Sequence, residues 1–512
     1  MNPNHELAAT WTYHNSTKHS LESIRRNRHF LDWDNKPLPF KIYSSLDPLQ
    51  LPINVPPLET PTLSAIRGTT KSESEQIPDL ATLTSLLYLS AGITKRRTYP
   101  GGEVYFRAAA NTGALYHIDV YVVCGELPDL AAGVYHFGPH DFSLRCLRQG
   151  DYRRVLVQAG GDEQHVNQAP ATLICISTYW RNAWKYQART YRHCFWDAGT
   201  LLANFLAAAA ALKTHTQVVT GFVDAAVNQL LDLDTDREVA LALLPIGYAV
   251  SAHAGAVASV SPLNLATVPL SDHEVDYPAI RAMHAASSLQ TDEEVRTWRD
   301  GVLQLSESSP TGKLFPLTPL GDAELPAAPL EQVIRHRGST RRFAREPISF
   351  AQLSTLLVRS TQGIQADFLT PFGTTLTEIY LLVNAVEGIP SGAYVFHRSQ
   401  HVLGLLREGS FRKEAGYLGL GQELPADASV NIYCLANLPS ILERFGNRGY
   451  RAAQLEGAII GGKCYLAAYA QQLGATGLTF FDDDVTEFFS PHATGKSVMF
   501  LTAIGKPAKQ QR

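Results

Sequence analysis

The stretch DVYVVCGELPDLAAGVYHF, residues 119–137, decides how this chain is read, because EIYLLVNAVEGIPSGAYVF, residues 378–396, repeats it without a gap. Asp119 aligns with Glu378, Tyr121 with Tyr380, Gly133 with Gly392 and Tyr135 with Tyr394, at a constant offset of 259 residues, the separation of Asp119 from Glu378. LRQGDYR at 147–153 aligns with LREGSFR at 406–412 at the same offset. Farther along, RTYR at 189–192 answers RGYR at 448–451, and Asp197 answers Glu456. After one small adjustment FVDAAV at 222–227 answers FFDDDV at 480–485, and IG at 246–247 answers IG at 504–505. A repeat that holds its order through several element types describes a duplicated domain, and its period is far too long for a solenoid.

Each copy reads alike. A short helix (DLATLTSLLYLSAG; SFAQLSTLLVRSTQG) leads to a glycine-bearing loop, then a β-branched strand (HIDVYVV; EIYLLVNAV), a turn with Gly and a second strand (AGVYHF; GAYVFH). A later apolar strand (APATLICIST; ASVNIYCLA), a long helix and a last strand ending in IG complete the unit. Period-two and period-3.6 segments intermix, which predicts an α+β fold. With 512 residues the chain exceeds one growing core. The expected division is a proline-containing arm over 1–58, a first domain over 59–255, a linker over 256–324 and a second domain over 325–512. The linker shows little periodicity, and its length predicts a local subdomain or a segment wrapped over a partner domain.

Composition excludes several functions. The net charge is -4 and no basic block appears, which argues against nucleic acid. Six cysteines without regular spacing make neither a disulfide scaffold nor a metal cluster; Cys194 and Cys464 read as buried thiols. The polar N-terminus has no signal-like apolar core. The run LLANFLAAAAALK at 201–213 is too short to span a bilayer, and its alanines favour a close-packed core helix or pairing with the other copy. The expectation is a cytoplasmic protein with no membrane partner. P-loop, GxGxxG, HExxH and GxSxG motifs are missing from the sequence, and His117, His136 and His193 read as structural.

Three stretches carry candidate chemistry. HRGSTRRF at 336–343 offers Arg337, Ser339, Arg341 and Arg342 at short spacing, and guanidinium groups with a hydroxyl suit a phosphate. Lys506, just past the last strand, is a further cation for the same place. A solvated basic turn is the plain alternative. In FRAAANTGALYHIDVY at 106–121, small residues around Gly113 let a flat ligand approach backbone N–H groups, unless this is an ordinary loop–strand junction. WKYQARTYRHCFWDAG at 184–199 reads as a helix start crowded with cations. Like charges one turn apart are mildly unfavourable, so Arg189 and Arg192 predict an anionic ligand or a buried carboxylate, with Asp197 and Asp224 as internal candidates. Tyr186 beside Lys185 is a workable proton-transfer pair, because a nearby cation favours the phenolate. An interface or solvent-facing patch is the competing reading.

RGSTRRF, the small-residue loop before a strand and the terminal strand ending in IG together resemble the nitroreductase-like FMN flavoprotein superfamily. WKYQARTYRHCFWDAG, with YHNSTKHS and LDWDNKPLPFKIY upstream, looks like the SagB-type dehydrogenases, which include azoline oxidases of thiazole- and oxazole-modified peptides. The resemblance implies two tandem nitroreductase-like domains forming an intrachain pseudo-dimer, with FMN at their interface. Carried over, it implies that Arg337, Ser339, Arg341 and Lys506 serve the phosphate side. Ala110, Asn111, Thr112 and Gly113 would serve the ring, with Gly477 and Leu478 near the flavin edge. Lys185 and Tyr186 match the family's catalytic pair: lysine or tyrosine would take the ring proton while N5 of FMN takes the hydride.

The copies diverge. The first has no clear RxSxR ahead of DLATLTSLL, its nearest basic cluster being TKRR at 94–97, and the second has Arg444 and Phe445 in place of Lys185 and Tyr186. The expectation is one composite FMN site, and a second position that lacks its phosphate arginines and is empty or serves another role. Three functions compete: an FMN-dependent dehydrogenase of azoline-type or related heterocycles on a small molecule or modified peptide, an NAD(P)H-dependent nitro- or quinone-reductase, and a non-catalytic scaffold with a decayed flavin cleft. The tandem replaces a homodimer without forbidding one.

Overall fold

Six strands pair in the first copy, in the order Pro48–Gln50, Ser143–Gln149, Gly133–Gly138, Ile118–Cys124, Ala171–Thr178 and Glu238–Ile246, every neighbour antiparallel. The structure, a computed structural model, describes residues 3–27, 29–69, 74–100, 102–250, 257–300, 310, 312–371 and 373–508. The second copy repeats the sheet in the order Gly474–Leu478, Ser497–Gly505, Val430–Ala436, Thr377–Val383, Gly392–His397, Val402–Glu408 and Leu314–Pro316. Even the irregularities recur. The register slips between Val134 and Tyr135 and again between Ala393 and Tyr394, and between Cys175 and Ile176 and again between Cys434 and Leu435.

The central strands are buried on both faces, which is why they read as continuous apolar runs. Along Ile118–Cys124 the faces still alternate. Val120 and Val122 join the core that holds the long helix, while Tyr121 and Val123 join a second core with Val155, Phe222 and Val227.

The two long helices, Thr190–Ala211 and Arg448–Ala470, pack against each other between the sheets. A Cβ added at Gly199 would lie 2.5 Å from Ala458 Cβ, and one added at Gly462 would lie 2.5 Å from Ala203 Cβ. Ala458 is the repeat counterpart of Gly199, and Gly462 of Ala203. A residue that faces its own counterpart lies beside a twofold axis. Small residues there let the backbones approach, the pairing expected of the alanine-rich run. The helical stretch Tyr179–Ala211 has the length and apolarity to cross a bilayer, but 89% of that window is buried inside the protein, as in a core helix.

The flanking segments lace the copies together. The arm helix Ala8–Ser16 lies across both: Thr10 Oγ1 donates to Asn447 Oδ1 (2.6 Å), Tyr13 OH donates to Ala188 O (2.6 Å), and His14 O accepts from Arg192 (2.7 Å). The segment between the copies forms helices Pro278–Ala286 and Asp292–Asp300, then the edge strand Leu314–Pro316 of the second sheet. Trp298 Nε1 donates to Phe445 O (3.0 Å), so this segment crosses from one copy to the other. The expected boundary at 255–256 lies outside the described residues.

Candidate active site

One stripe of the first long helix fixes the small-residue loop. Asp197, Thr200 and Asn204 are three and four residues apart and therefore share a face. Asp197 Oδ1 accepts from Thr112 N (2.8 Å) and Thr112 Oγ1 (2.7 Å), Thr200 Oγ1 donates to Ala110 O (2.6 Å), and Asn204 Nδ2 donates to Ala108 O (2.9 Å). Alternate residues of an extended segment are thus tied at 108, 110 and 112. Beyond it Asn111 Oδ1 accepts from the backbone N–H of Leu115 and of Tyr116, and Gly113, Ala114 and Tyr116 all have positive φ. At Gly113 (φ 65) a Cβ would also lie 2.9 Å from the hydroxyl of Tyr186, so this turn needs glycine twice over. Asp197 Oδ2 is held by His117 Nε2 (2.8 Å), whose Nδ1 meets Ser177 Oγ (2.9 Å). His117 was read as structural; it supports the loop's carboxylate anchor.

The arginine turn of the second copy reaches this same loop. Arg337 Nε donates to Ala108 O (3.1 Å) and its Nη2 to Arg107 O (3.0 Å). Ser339 Oγ meets Tyr465 OH (3.1 Å), which also accepts from Gly477 N (2.5 Å), and Thr340 N donates to Ala475 O (2.9 Å). The turn is therefore clamped between the first copy's loop and the strand Gly474–Leu478, which brings Arg337, Ser339, Ala110, Thr112 and Gly477 into one neighbourhood. Leu478 ends that strand, opposite Leu501. Lys506 does not join them: its ammonium lies 3.5 Å from Glu346, on the exposed side of the turn, and only its carbonyl is engaged, by Ala344 N (2.9 Å).

Lys185 and Tyr186 close the helix Tyr179–Tyr186 instead of opening one. Gln187, at φ 51, breaks the chain direction before the long helix begins at Thr190. That break separates two functions the sequence had run together. Arg189 and Arg192 turn inward, with Arg189 Nη1 3.1 Å and Arg192 Nη1 2.5 Å from the carboxylate of Asp482 in the second copy. Neither Asp197 nor Asp224 is their partner. Asp224 instead takes Arg448 (2.6 Å) and Arg451 (2.7 Å), the counterparts of Arg189 and Arg192. The clasp is reciprocal, as a twofold requires. Spacing along one copy cannot reveal a partner supplied by the other.

The Lys185–Tyr186 pair faces the arginine turn. Lys185 lies at the surface, where partial desolvation, then the like charges of Arg341 and Lys36, push its ammonium below the ordinary lysine range. Burial pushes the Tyr186 hydroxyl up, Asp197 adds to the rise and Arg341 opposes it. Burial wins, so Tyr186 is a phenol and not the phenolate expected from its cationic neighbour. Lys185 Nζ lies 5.3 Å from the Tyr186 ring centroid, and the Tyr186 ring meets His193 edge-on at 4.6 Å.

Lys36, Lys185 and Arg341 form a cationic cluster in which none has an ion pair to a carboxylate among the described residues. That donor set, with the Ser339 hydroxyl and the glycine turn at 113, fits a phosphate-bearing planar cofactor. The arm shapes the rim: Trp33 packs edge-on against Trp184 at 5.2 Å, and Asp32 O accepts from Trp184 Nε1 (2.9 Å).

Residues 70–248 match the model of the nitroreductase family. This chain is 25% identical over 168 residues to the nitroreductase-like protein MJ1384 of Methanocaldococcus jannaschii, covering 33% of this chain and 80% of that one. A nitroreductase-like protein of Anabaena variabilis, known from its crystal structure, is 28% identical with a TM-score of 0.78, covering 98% of this chain and 99% of that one. The fold of that protein is thus shared over nearly all of this chain.

The repeat also corrects the reading that the first copy has no phosphate-type arginine turn. RGTTK at 67–71 matches RGSTR at 337–341 residue for residue in type. Threonine and lysine supply the same hydroxyl and charge as serine and arginine. Thr70 and Lys71 lie outside the described residues, and Arg67 and Thr69 line a cavity between the copies.

Proposed function

We propose that the protein is an FMN-dependent oxidoreductase that dehydrogenates azoline-type or related heterocyclic substrates, free or within a modified peptide. The observation that carries this reading is that Arg337 of the second copy bonds the loop of the first, while the charge of Arg341 in the same turn acts on Lys185 and Tyr186. Arg337, Ser339 and Arg341 would hold the phosphate side, and the loop from Ala110 to Gly113 would lie under the ring, with Gly477 and Leu478 beside it. FMN, held there, would supply two-electron redox chemistry. Lys185, whose ammonium is disfavoured by three separate causes, takes the ring proton. Tyr186 keeps its own proton and donates a hydrogen bond to the substrate. His117 and Asp197 hold Thr112 and so fix the loop without touching the reacting atoms.

The test is the bleaching of flavin absorbance by azoline-containing peptides under anaerobic conditions. Bleaching faster than a no-substrate control supports the reading, and equality with that control contradicts it. The match of residues 70–248 to the nitroreductase family favours a second reading, in which NAD(P)H reduces the flavin and a nitro compound or quinone reoxidises it. Rapid, saturable bleaching by NAD(P)H, with none by azolines, selects that alternative.

A further inference from the structure

The pseudo-twofold generates a second position, with the first copy's Arg67–Thr69 turn opposite the second copy's loop. A cavity of about 1020 Å³ lies there, its walls including Arg67, Thr69, Thr377, Arg398, Asn437 and Glu456. Two features make it a binding site, and a third makes it a different one from its counterpart.

Arg67 and Thr69 are the counterparts of Arg337 and Ser339. Arg337 donates to two carbonyls through Nε and Nη2, whereas Arg67 is exposed and makes no hydrogen bond or ion pair to a described residue. Glu456, the counterpart of Asp197, is fully buried at the cavity wall. Its Oε2 accepts from Leu376 N (2.9 Å) and Thr377 Oγ1 (2.9 Å), but its Oε1 has no hydrogen-bond partner, the Arg398 guanidinium standing off at 3.7 Å. Asp197 fills that second acceptor with His117, and the counterpart of His117 is Leu376, whose side chain has nothing to donate. A buried carboxylate oxygen at a cavity wall that has an ion pair at 3.7 Å but no hydrogen bond can take a donor from a ligand.

The third feature distinguishes the two positions by which copy covers the edge. Residues 216–220 occupy the place of the strand Gly474–Leu478, since Val219 pairs with Leu243 as Gly477 pairs with Thr502. In the second position this edge is closed by the opposite copy. Val218 N donates to Gln365 O (2.9 Å), Asp367 N donates to Val218 O (3.0 Å), and the Asp367 carboxylate accepts from Thr220 N and from Gly221 N (2.7 Å). The equivalent segment of the first copy, Ile93–Tyr99, turns away into a hairpin with Gly102–Arg107, and Gly474–Leu478 is met from its own copy instead, by Thr340 N at Ala475 O and by Tyr465 OH at Gly477 N.

We propose that this cavity binds a small phosphorylated, hydroxyl- or amine-bearing molecule other than a flavin. Arg67 and the Thr69 hydroxyl hold the phosphate, and the ligand's hydroxyl or amine donates to Glu456 Oε1. The inference does not depend on the substrate proposed for the first site. Its test is calorimetric titration of the FMN-saturated full chain with inorganic phosphate, ribose 5-phosphate and AMP. One site per chain is expected for ribose 5-phosphate or AMP, with inorganic phosphate weaker; the two organic probes separate a sugar phosphate from a nucleotide. Arg67→Ala, at an exposed position, should weaken binding at least tenfold, and Glu456→Gln should weaken it less, both leaving the FMN content unchanged. Two FMN per chain, the second lost in Arg67→Ala, would make this a flavin site and overturn the proposal. So would absence of heat with all three probes, or binding indifferent to Arg67→Ala.

Discussion

The two faces of the pseudo-twofold start from the same parts and end differently. Both juxtapose an arginine turn from one copy with a loop from the other, and both anchor that loop through a carboxylate on a long helix. At the first face the carboxylate is Asp197, completed by His117, the edge strand Gly474–Leu478 is met by Thr340 and Tyr465 of its own copy, and Arg341 of the turn acts on Lys185 and Tyr186. At the second the carboxylate is Glu456 with one oxygen unmet, the edge is stitched shut by residues 365–367, and Arg444–Phe445 replace the Lys–Tyr pair. The core beneath stayed symmetric while the faces diverged. Gly199 against Ala458 and Ala203 against Gly462, with the two arginine–aspartate clasps, hold the copies in one geometry. With that geometry fixed, each loop can change without disturbing the other.

The largest effect that sharpens this contrast is on turnover. Lys185→Met removes the proposed base and should lower substrate-driven flavin reduction by about 10²–10⁴-fold, whereas Arg444→Met at the other face should leave it unchanged. Stopped-flow absorbance reads both, and equal losses would erase the distinction between the faces.

Next in size are the clasps. Asp482→Ala leaves Arg189 and Arg192 buried without a carboxylate, and Asp224→Ala does the same to Arg448 and Arg451. Breaking a buried pair in this way costs about 3–5 kcal/mol. Chemical denaturation should show losses of similar size for the two variants, and a loss in one alone would break the symmetry assigned to the core.

The smallest effect is in the acid range. Burial pushes both carboxyls up, but Arg189 and Arg192 reverse this at Asp482, and Arg448 and Arg451 hold Asp224 at about 2, against an ordinary 3.8. Because the folded values are depressed, this stability is fully present above the unfolded carboxylate value near 4 and is lost as pH falls toward and through the folded values. Unfolding free energy should therefore decline between about pH 4 and 2, and Asp224→Asn should make that decline shallower.

Much of the fold was legible because duplication writes the same pattern twice. The gap-free match of 119–137 with 378–396 announced paired strands that recur with the same bulges. The composite turn-and-loop pairing was legible through residue types, RGSTR and the small-residue run. What escaped were relations between copies. Asp482 as partner of Arg189 and Arg192 is 293 residues from Arg189, and no periodicity points to it. The loop after the first short helix hid a hairpin, Ile93–Arg107, because its strands are largely exposed and carry lysine and arginine where a core strand would not. RGTTK at 67–71 was readable in principle; matching by charge and hydroxyl, not by letter, finds it. The protonation of Tyr186 was not readable, since it is decided by how deeply the ring is buried.

The account's central claim is that one face of the pseudo-dimer is built for the flavin. The direct measurement is the absorbance spectrum of protein purified with FMN available, followed by release and quantification of the flavin per chain. One FMN per chain is expected, lost in Arg341→Ala and retained in Arg67→Ala. Two per chain, or one that survives Arg341→Ala and disappears in Arg67→Ala, would contradict it.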